Sequence, residues 1–213
     1  MSSKNEFIEF MTDAEVLTFG DFTTKSGRKT PYFVNTGQYQ TGLHISTLGD
    51  YYADLIIASR ENFDALYGPA YKGITLAAAT AASLYRNHNF NVPYFFNRKE
   101  EKDHGEGGSL IGYKPKDGDR IIIIEDVVTA GTAVRESLQL LKSIADVKVT
   151  ALYVSVDRME RGTGEHSTLD ELKNKYDINV YPIINARDII ESFPKGDERI
   201  AKMEAYLAEY GGV

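Results

Sequence analysis

The feature of this sequence that most constrains its fold is a run of four isoleucines, Ile121 to Ile124. A strand that alternates apolar and polar residues has one buried face, whereas a strand that is apolar at every position is buried on both faces. Strands of the second kind are typical of parallel sheets, because the helices that connect parallel strands cover both faces of the sheet. The run therefore predicts a central strand of an α/β protein.

Strand-like and helix-like segments alternate along the rest of the chain. Short apolar runs predict strands at 64–67, 93–96, 120–124, 147–156 and 178–184. Apolar residues at helical spacing predict helices near 46–60, 73–87, 132–145 and 166–176. This alternation predicts an α/β fold with a central parallel sheet flanked by helices. Ligands of such folds bind beyond the carboxyl ends of the strands, so the residues that follow each strand are candidates for a site.

The two ends of the chain extend this pattern. Apolar residues predict an N-terminal amphipathic helix that includes Phe7, Ile8, Met11, Val16 and Leu17. The stretch KSGRKTPYFVN, residues 25–35, predicts a turn followed by an extended segment, and DERIAKMEAYLAEY, residues 197–210, has a helical pattern. The chain has 213 residues and no internal repeat, so we expect a single domain over residues 1–213.

Composition narrows the functional classes. With 24 Lys and Arg against 31 Asp and Glu, the net charge of -7 argues against a general binder of nucleic acid or anionic membranes. The absence of cysteine excludes disulfides, thiolate metal sites and a cysteine nucleophile. The N-terminal residues do not resemble a signal peptide, and no stretch approaches the roughly 20 apolar residues of a spanning helix. We therefore expect a cytoplasmic protein.

Two acids and a small-residue loop follow the isoleucine run. If the strand ends with the isoleucines and a helix begins near Thr132, residues 125–131 form a loop over the carboxyl edge of the sheet. Small side chains at 129–131 would let backbone N–H groups and the positive end of the helix dipole approach a monophosphate. The loop has neither a Gly-Lys-Ser/Thr nor a GxGxxG pattern, which disfavours triphosphates and dinucleotides. Glu125 and Asp126 could accept hydrogen bonds from sugar hydroxyls, or could cap a turn or the helix.

The stretch IIIIEDVVTAGTA, residues 121–133, resembles the signature of the type I phosphoribosyltransferases. The resemblance implies that Glu125 and Asp126 contact the ribose 2- and 3-hydroxyls of phosphoribosyl pyrophosphate. It also implies that the loop after them holds the 5-phosphate of that substrate, through Val127, Val128, Thr129, Ala130, Gly131, Thr132 and Ala133. The type I phosphoribosyltransferase fold implied here has a small N-terminal hood, at about residues 1–40, in addition to the α/β sheet.

Four further segments resemble the orotate phosphoribosyltransferases within that family: KSGRKTPYFVN (25–35), GPAYKGI (68–74), FNRKEEKDHGEGG (96–108) and VDRMERG (156–162). The resemblance implies contacts with phosphoribosyl pyrophosphate from Lys25, Tyr71, Lys72, Arg98, Lys99, Lys102 and His104. It implies contacts with orotate from Phe33, Val34, Thr129 and Arg158, the first two through the backbone. A guanidinium suits the carboxylate that orotate has and purine bases lack. The chain departs from the pattern at Val34, where many relatives carry Phe, and at Glu125, where some carry Asp.

Residues 98–108 combine several cations with three glycines. A backbone of this kind has little stiffness and can close over a site, although the composition also suits a solvated surface loop. The resemblance implies a mobile lid loop at about 98–110. Lys102, His104 and Asp126 are then the catalytic candidates, with the first two neutralising the pyrophosphate leaving group. Mg²⁺ is the implied cofactor, held mainly by substrate oxygens and water, so we assign no residue as a certain metal ligand.

The activity implied by the resemblance is transfer of ribose 5-phosphate to orotate, giving orotidine 5-monophosphate and pyrophosphate in pyrimidine (UMP) biosynthesis. Members of the family usually form homodimers in which one lid reaches the neighbouring site, and the chain length predicts no fused decarboxylase domain. Two alternatives stay open. A purine phosphoribosyltransferase is disfavoured by Arg158 and by the length of the lid motif. A regulator that senses phosphoribosyl pyrophosphate without turnover is disfavoured by Lys102 and His104.

Overall fold

The computed structural model describes residues 3–24, 27–98, 110–128, 131–162 and 164–212. Its helices are α1 (Lys4–Asp13), α2 (Gly42–Ser59), α3 (Lys72–His88), α4 (Thr132–Ile144), α5 (Thr168–Tyr176), α6 (Ala186–Ser192) and α7 (Glu198–Tyr210). Its strands are β1 (Leu17–Thr23), β2 (Lys29–Val34), β3 (Ala65–Gly68), β4 (Tyr94–Asn97), β5 (Leu110–Gly112), β6 (Arg120–Val127), β7 (Lys148–Asp157) and β8 (Asn179–Asn185). Among the described residues, no helix is both long and apolar enough to cross a membrane.

The main sheet has six strands in the order β5-β4-β3-β6-β7-β8. Strands β4, β3, β6, β7 and β8 run parallel, and β5 runs antiparallel to β4. The predicted α/β class with a central parallel sheet is confirmed, and the antiparallel edge strand β5 was not predicted. The three-residue β5 has two half-buried residues and an exposed glycine, so it pairs through its backbone and leaves no apolar run in the sequence. Short edge strands also limit pairing with other chains.

The isoleucine run is buried on both faces of the sheet, as predicted, and all four residues are fully buried. Ile122 and Ile124 pack in the apolar cluster that includes residues of α1, α2 and α3. Ile121 and Ile123 pack in the cluster formed with α4 and α5. Since successive side chains of a strand point to opposite faces, β6 is the central strand that joins the two layers of the core.

Strand β6 extends three residues further than predicted. Its pairing with β7 continues through Glu125 opposite Val154 and Val127 opposite Val156. The prediction that residues 125–127 lie in a loop was therefore wrong, because backbone pairing with β7 extends beyond the apolar run. The two acids consequently lie near the end of a central strand, where hydrogen bonds with β7 hold the backbone in place.

The N-terminal helix is shorter than predicted. Phe7, Ile8 and Met11 lie on the buried face of α1, as expected from their spacing. Val16 and Leu17 are buried but not helical, so this part of the prediction was wrong. The reason is Glu15, which has a left-handed φ of 54° and turns the chain into the β1–β2 antiparallel hairpin. The predicted C-terminal helix is present as α7, while α6 was not predicted.

The junction between β3 and α3 is too tight for side chains. A methyl group on Gly68 would overlap the carbonyl oxygen of Gly73, and one on Gly73 would approach the Cδ atom of Pro69 to 2.7 Å. The glycines thus let α3 begin directly at the end of β3. This close approach places Lys72, the first residue of α3, at the carboxyl edge of the sheet.

We expect Gly68→Ala to lower the free energy of unfolding by about 3 kcal/mol, because the added methyl group must displace backbone rather than a flexible side chain. Urea denaturation followed by circular dichroism measures the change. Gly42→Ala is the matched control, since a methyl group there meets no atom within 4 Å and alanine favours a helix over glycine by up to about 1 kcal/mol. Equal stability of the two variants would contradict the close junction.

Candidate functional site

An ion pair lies where the carboxyl end of β6 meets the start of α3. The Lys72 ammonium donates hydrogen bonds to Asp126 Oδ2 and to Thr36 Oγ1, each at 2.7 Å. The Thr36 hydroxyl in turn donates to Asp126 Oδ2 at 2.5 Å. These three residues come from the end of β6, the start of α3 and the segment after β2. The structure therefore brings together two of the predicted site residues, Lys72 and Asp126, and adds Thr36.

The ion pair keeps Asp126 ionised. Burial alone would raise the pKa of this carboxyl, but the hydrogen bonds from Lys72 and Thr36 outweigh burial and hold the pKa below its ordinary value. Lys72 is a cation at a helix N-terminus, a position that the helix dipole disfavours. Its partner Asp126 offsets this cost. The Lys72 side chain is 58% exposed and that of Asp126 is 13% exposed, so the pair lies at the mouth of the site.

Glu125 has a different environment from its neighbour. Its side chain is buried, and Oε1 accepts a hydrogen bond from the backbone N–H of Asp126 at 3.1 Å. Burial, and then the adjacent Asp126 charge, raise the pKa of Glu125 well above its ordinary value. The two carboxyls also interact through their side chains, so ionisation of Asp126 opposes ionisation of Glu125. The contact of Glu125 with a ribose hydroxyl stays a prediction.

The start of α4 has the properties of an anion site. Gly131 precedes the helix with a left-handed φ of 71°, and no side chain of the described residues caps the helix N-terminus. The first turn carries no acid, so the backbone N–H groups and the helix dipole face no carboxylate of that turn. Thr132 and Ala133 are exposed there, whereas Val127 and Val128 contribute to the core clusters. The monophosphate cradle predicted for this segment is compatible with the geometry.

Arg158 follows β7 and lies against the β1–β2 hairpin. Its Nε atom donates to Glu160 Oε1 at 2.6 Å, and Nη2 donates to Thr30 Oγ1 at 3.2 Å. The guanidinium carbon lies 4.2 Å from the centre of the Tyr32 ring, a cation–π contact. Arg158 and Val128 line the same small cavity, so the arginine faces the segment that precedes α4.

Other predicted residues surround these groups. Phe33 and Val34 end β2; the Phe33 side chain is 43% exposed and packs against Phe22. Tyr71 is 66% exposed and lies next to Lys72, and Arg98 is exposed after β4. The predicted site residues that lie outside the described part of the chain are Lys25, Lys99, Lys102, His104, Thr129 and Ala130. Most of the predicted lid, residues 99–109, also lies outside it, and Leu110 begins β5.

Several polar residues at the site were not predicted. Thr36 joins Lys72 and Asp126, and Asn97 Oδ1 accepts from the backbone of Ala70 and from the Tyr67 hydroxyl, each at 2.9 Å. Thr36 directly follows the segment 25–35, but nothing in the sequence indicates that it contacts a residue of a strand 90 positions away. Such partners can be found from sequence only when pairing between distant strands is known.

The described residues contain no group of three or more His, Asp or Glu side chains that could hold a metal ion. Asp126 alone is a hard oxygen donor at the mouth of the site. Mg²⁺ commonly keeps several waters and binds through one or two carboxylates together with substrate phosphates. The donor set at this edge fits a Mg²⁺ ion that arrives with a phosphorylated substrate, and does not form a cage made by the protein alone.

Comparison with known proteins agrees with this geometry. A family model described as the phosphoribosyl transferase domain matches residues 36–183. The orotate phosphoribosyltransferase of Clostridium beijerinckii is 48% identical, over 98% of this chain and 97% of that protein. The chain belongs to the orotate phosphoribosyltransferases. A member of this family from Escherichia coli is 44% identical, over 98% of both chains.

A solved structure in the orotate phosphoribosyltransferase family, from Francisella tularensis, shares the fold of the present chain. The TM-score is 0.89 at 39% identity, with 97% of this chain and 100% of that chain covered. The predicted type I phosphoribosyltransferase fold and the predicted family are thereby confirmed. The assignments of individual site residues are predictions that the comparisons do not test.

We expect Glu125→Gln to stabilise the unliganded protein relative to wild type more at pH 8 than at pH 5. An acid whose folded-state pKa is raised contributes stability that is present below its unfolded pKa, about 4.3, and is lost as pH rises through the folded pKa. Glutamine does not ionise and loses nothing. The difference in unfolding free energy between variant and wild type, from urea denaturation, should grow by at least about 1.4 kcal/mol, which corresponds to one pKa unit.

The matched control for this experiment is Glu136→Gln, because Glu136 lies exposed in α4. Its difference from wild type should be the same at both pH values. If the Glu125→Gln difference were also independent of pH, the buried carboxyl would not be the group that titrates.

Proposed function

We propose that this protein catalyses the transfer of ribose 5-phosphate from phosphoribosyl pyrophosphate to orotate, giving orotidine 5-monophosphate and pyrophosphate for pyrimidine biosynthesis in the cytoplasm. The observation that carries the proposal is the Lys72–Asp126 ion pair beside the uncapped N-terminus of α4. A phosphorylated sugar needs an acceptor for its hydroxyl groups and a site for its phosphate anion. The two must lie no further apart than the length of one ribose phosphate. The membership of the chain in the orotate phosphoribosyltransferases selects the substrates.

The ribose phosphate is proposed to bind across the ends of β6 and α4. Residues 127–133 would place backbone N–H groups and the helix dipole on the 5-phosphate. Asp126 would accept hydrogen bonds from a ribose hydroxyl, because ionised carboxylates are strong acceptors. Glu125 is assigned to the same sugar by its position in the family signature.

The pyrophosphate is proposed to bind on the side of α3. Lys72 is largely exposed and could leave Asp126 for a more highly charged diphosphate. Further contacts assigned to this leaving group come from Lys25, Tyr71, Arg98, Lys99, Lys102 and His104. These cations would oppose the charge that develops on the pyrophosphate as its bond to C1 of the ribose breaks.

Orotate is proposed to bind between the β1–β2 hairpin and the end of β7. Arg158 would pair with the carboxylate of orotate. The orotate ring would contact Thr129 and the backbone at Phe33 and Val34. The hairpin reaches the site through Thr30, and the segment after β2 reaches it through Thr36. We propose that α1 and this hairpin form the hood of a single domain over the base.

In the proposed reaction, a ring nitrogen of orotate attacks C1 as pyrophosphate leaves, so positive charge develops on the ribose. The negative charge of Asp126, beside the sugar, would stabilise this positive charge. Lys102 neutralises the leaving group, and His104 could protonate it, since the reference pKa of histidine is about 6.5. Closure of residues 98–110 as a lid would exclude water that otherwise hydrolyses the activated sugar.

Mg²⁺ is the proposed cofactor, and it would supply charge neutralisation to the diphosphate oxygens. We propose that those oxygens and water hold most of its coordination sites, because the described residues contain no cluster of carboxylates that could hold a metal ion. We also propose a homodimer in which the lid of one protomer reaches the site of its partner, as is usual in this family.

We expect orotate to be consumed, measured by its absorbance, when the protein is mixed with orotate, phosphoribosyl pyrophosphate and Mg²⁺. Lys102→Ala should lower kcat by about 10²–10³-fold, because it removes one group that stabilises the leaving charge. Asp126→Asn should raise the KM for phosphoribosyl pyrophosphate about tenfold or more, since a charged acceptor is lost. Lys142→Ala, at an exposed position in the last turn of α4, is the control and should behave as wild type.

Absence of turnover in wild type, with phosphoribosyl pyrophosphate still bound in an Asp126-dependent way, would refute the transferase and leave a sensor or a different base. Full activity of Lys102→Ala would instead remove the lid lysine from the chemistry while leaving the function intact.

We expect Arg158→Lys to raise the KM for orotate about tenfold while leaving the KM for phosphoribosyl pyrophosphate unchanged. An ammonium cannot replace the planar, bidentate contact of a guanidinium with a carboxylate, and a charged hydrogen bond is worth about 1.5–3 kcal/mol. Initial rates with each substrate varied in turn provide both constants. Arg187→Lys, on the exposed side of α6, is the matched control. A larger effect on phosphoribosyl pyrophosphate than on orotate would place Arg158 elsewhere in the reaction.

A further inference from the structure

Glu160 lies behind Arg158 and has no role in the reaction as described above. Its Oε1 atom accepts from Arg158 Nε at 2.6 Å and from the Tyr206 hydroxyl of α7 at 2.7 Å. Its Oε2 atom lies 3.6 Å from Arg28 Nη1. Both oxygens therefore face a donor or a cation, and the Glu160 charge is compensated before any substrate binds.

The contacts of Arg158 fix the direction of its guanidinium. Glu160 takes the Nε proton and Thr30 takes one Nη2 proton, while the ring of Tyr32 lies against the flat face. A guanidinium has five N–H donors. Within the part of the chain that the structure describes, Nη1 makes no hydrogen bond. The Tyr206 hydroxyl also interacts with the guanidinium. Nη1 is therefore the donor atom that these hydrogen bonds leave for a carboxylate.

The backbone around Glu160 is held from both sides, so the side chain cannot readily swing out of the network. The Glu160 carbonyl accepts from the backbone N–H of Thr168 at 3.3 Å, and Glu160 pairs with Gly211 in an isolated bridge. Met159 has a left-handed φ of 55°, and its N–H donates to Asp157 Oδ1 at 2.8 Å. This turn brings Arg158 and Glu160 together at the end of β7.

These contacts distinguish two roles for the acid. A carboxylate that competed with substrate would occupy the open end of Arg158 and would move away on binding. Glu160 instead binds the Nε side, opposite the end formed by Nη1, and is anchored by α7 through Tyr206. It can therefore orient Arg158 while the substrate is bound.

We propose that Glu160 is a positioning residue that orients Arg158 toward the carboxylate of the pyrimidine substrate. The proposal rests on the proposed function, because it takes orotate as the group that Arg158 binds. Removing Glu160 leaves Arg158 on the Tyr32 ring but frees its Nε and its rotation about the side chain. Orotate recognition should weaken, whereas phosphoribosyl pyrophosphate, which does not bind Arg158, should be unaffected.

The test is a double-mutant cycle on kcat/KM for orotate, with wild type, Glu160→Ala, Arg158→Ala and the double variant. Glu160→Ala should lower kcat/KM for orotate about tenfold, as expected for one charged hydrogen bond, and leave the KM for phosphoribosyl pyrophosphate unchanged. Because Glu160 acts through Arg158, adding Glu160→Ala to Arg158→Ala should cause no further loss. Glu160→Gln, which keeps an acceptor oxygen, should lie between wild type and Glu160→Ala.

The control is Glu204→Gln, at an exposed position of α7, which should retain wild-type constants. If Glu160→Ala does not fold, Glu160→Gln and Tyr206→Phe take its place in the cycle, since each weakens one contact of the same carboxylate. Additive losses, or an equal loss for both substrates, would overturn the positioning role and mark Glu160 as merely structural. Wild type that fails to consume orotate would overturn the proposed function itself, and is recognised before any variant is compared.

Discussion

The burial of β6 on both faces determines where charge can be placed in this protein. Side chains at 121–124 are enclosed by helices on either side, so an unpaired charge there would carry a large desolvation cost. Charged side chains lie at the two ends of the strand, with Arg120 at the amino end and Asp126 at the carboxyl end, where it reaches the mouth of the site. Its backbone is held in place from both sides, since the Tyr52 hydroxyl donates to the Glu125 carbonyl and the Ser155 hydroxyl to the Asp126 carbonyl, each at 2.6 Å. A fixed carboxylate results from the same packing that forms the core.

Two neighbouring acids acquire different properties from this arrangement. Asp126 has an ammonium and a hydroxyl as donors, and its pKa falls; Glu125 has little solvent and an adjacent negative charge, and its pKa rises. Their side chains interact, and the donors around Asp126 determine that the negative charge resides there. The charge state of Glu125 is therefore coupled to that of Asp126.

The sequence was informative wherever a property is local. The isoleucine run predicted a strand buried on both faces, and the pattern after residue 131 predicted a helix beginning near Thr132, where α4 begins. The predicted ends of helices and strands were wrong where strand pairing outweighs the local apolar pattern. Val16 and Leu17 follow the turn at Glu15 and leave the helix, and the two acids extend β6 beyond its apolar run. Thr36 and Glu160 were missed because their partners are set by the packing of the hairpin and of α7 on the sheet. No local pattern encodes such contacts, which depend on residues far apart in the chain.

Lys72 and Arg158 are paired in different ways, and this difference supports the different tasks proposed for them. Lys72 is 58% exposed and bound through one flexible stem, so it can exchange Asp126 for a phosphate with a small loss of contacts. The Arg158 side chain is 10% exposed and is held by Glu160, Thr30 and the Tyr32 ring, so it cannot follow a misplaced ligand. A charged group in a rigid setting disfavours bases that lack a carboxylate, because its open donors would lose water and gain no partner. These contacts support the proposal that Lys72 captures the diphosphate and that Arg158 selects the base.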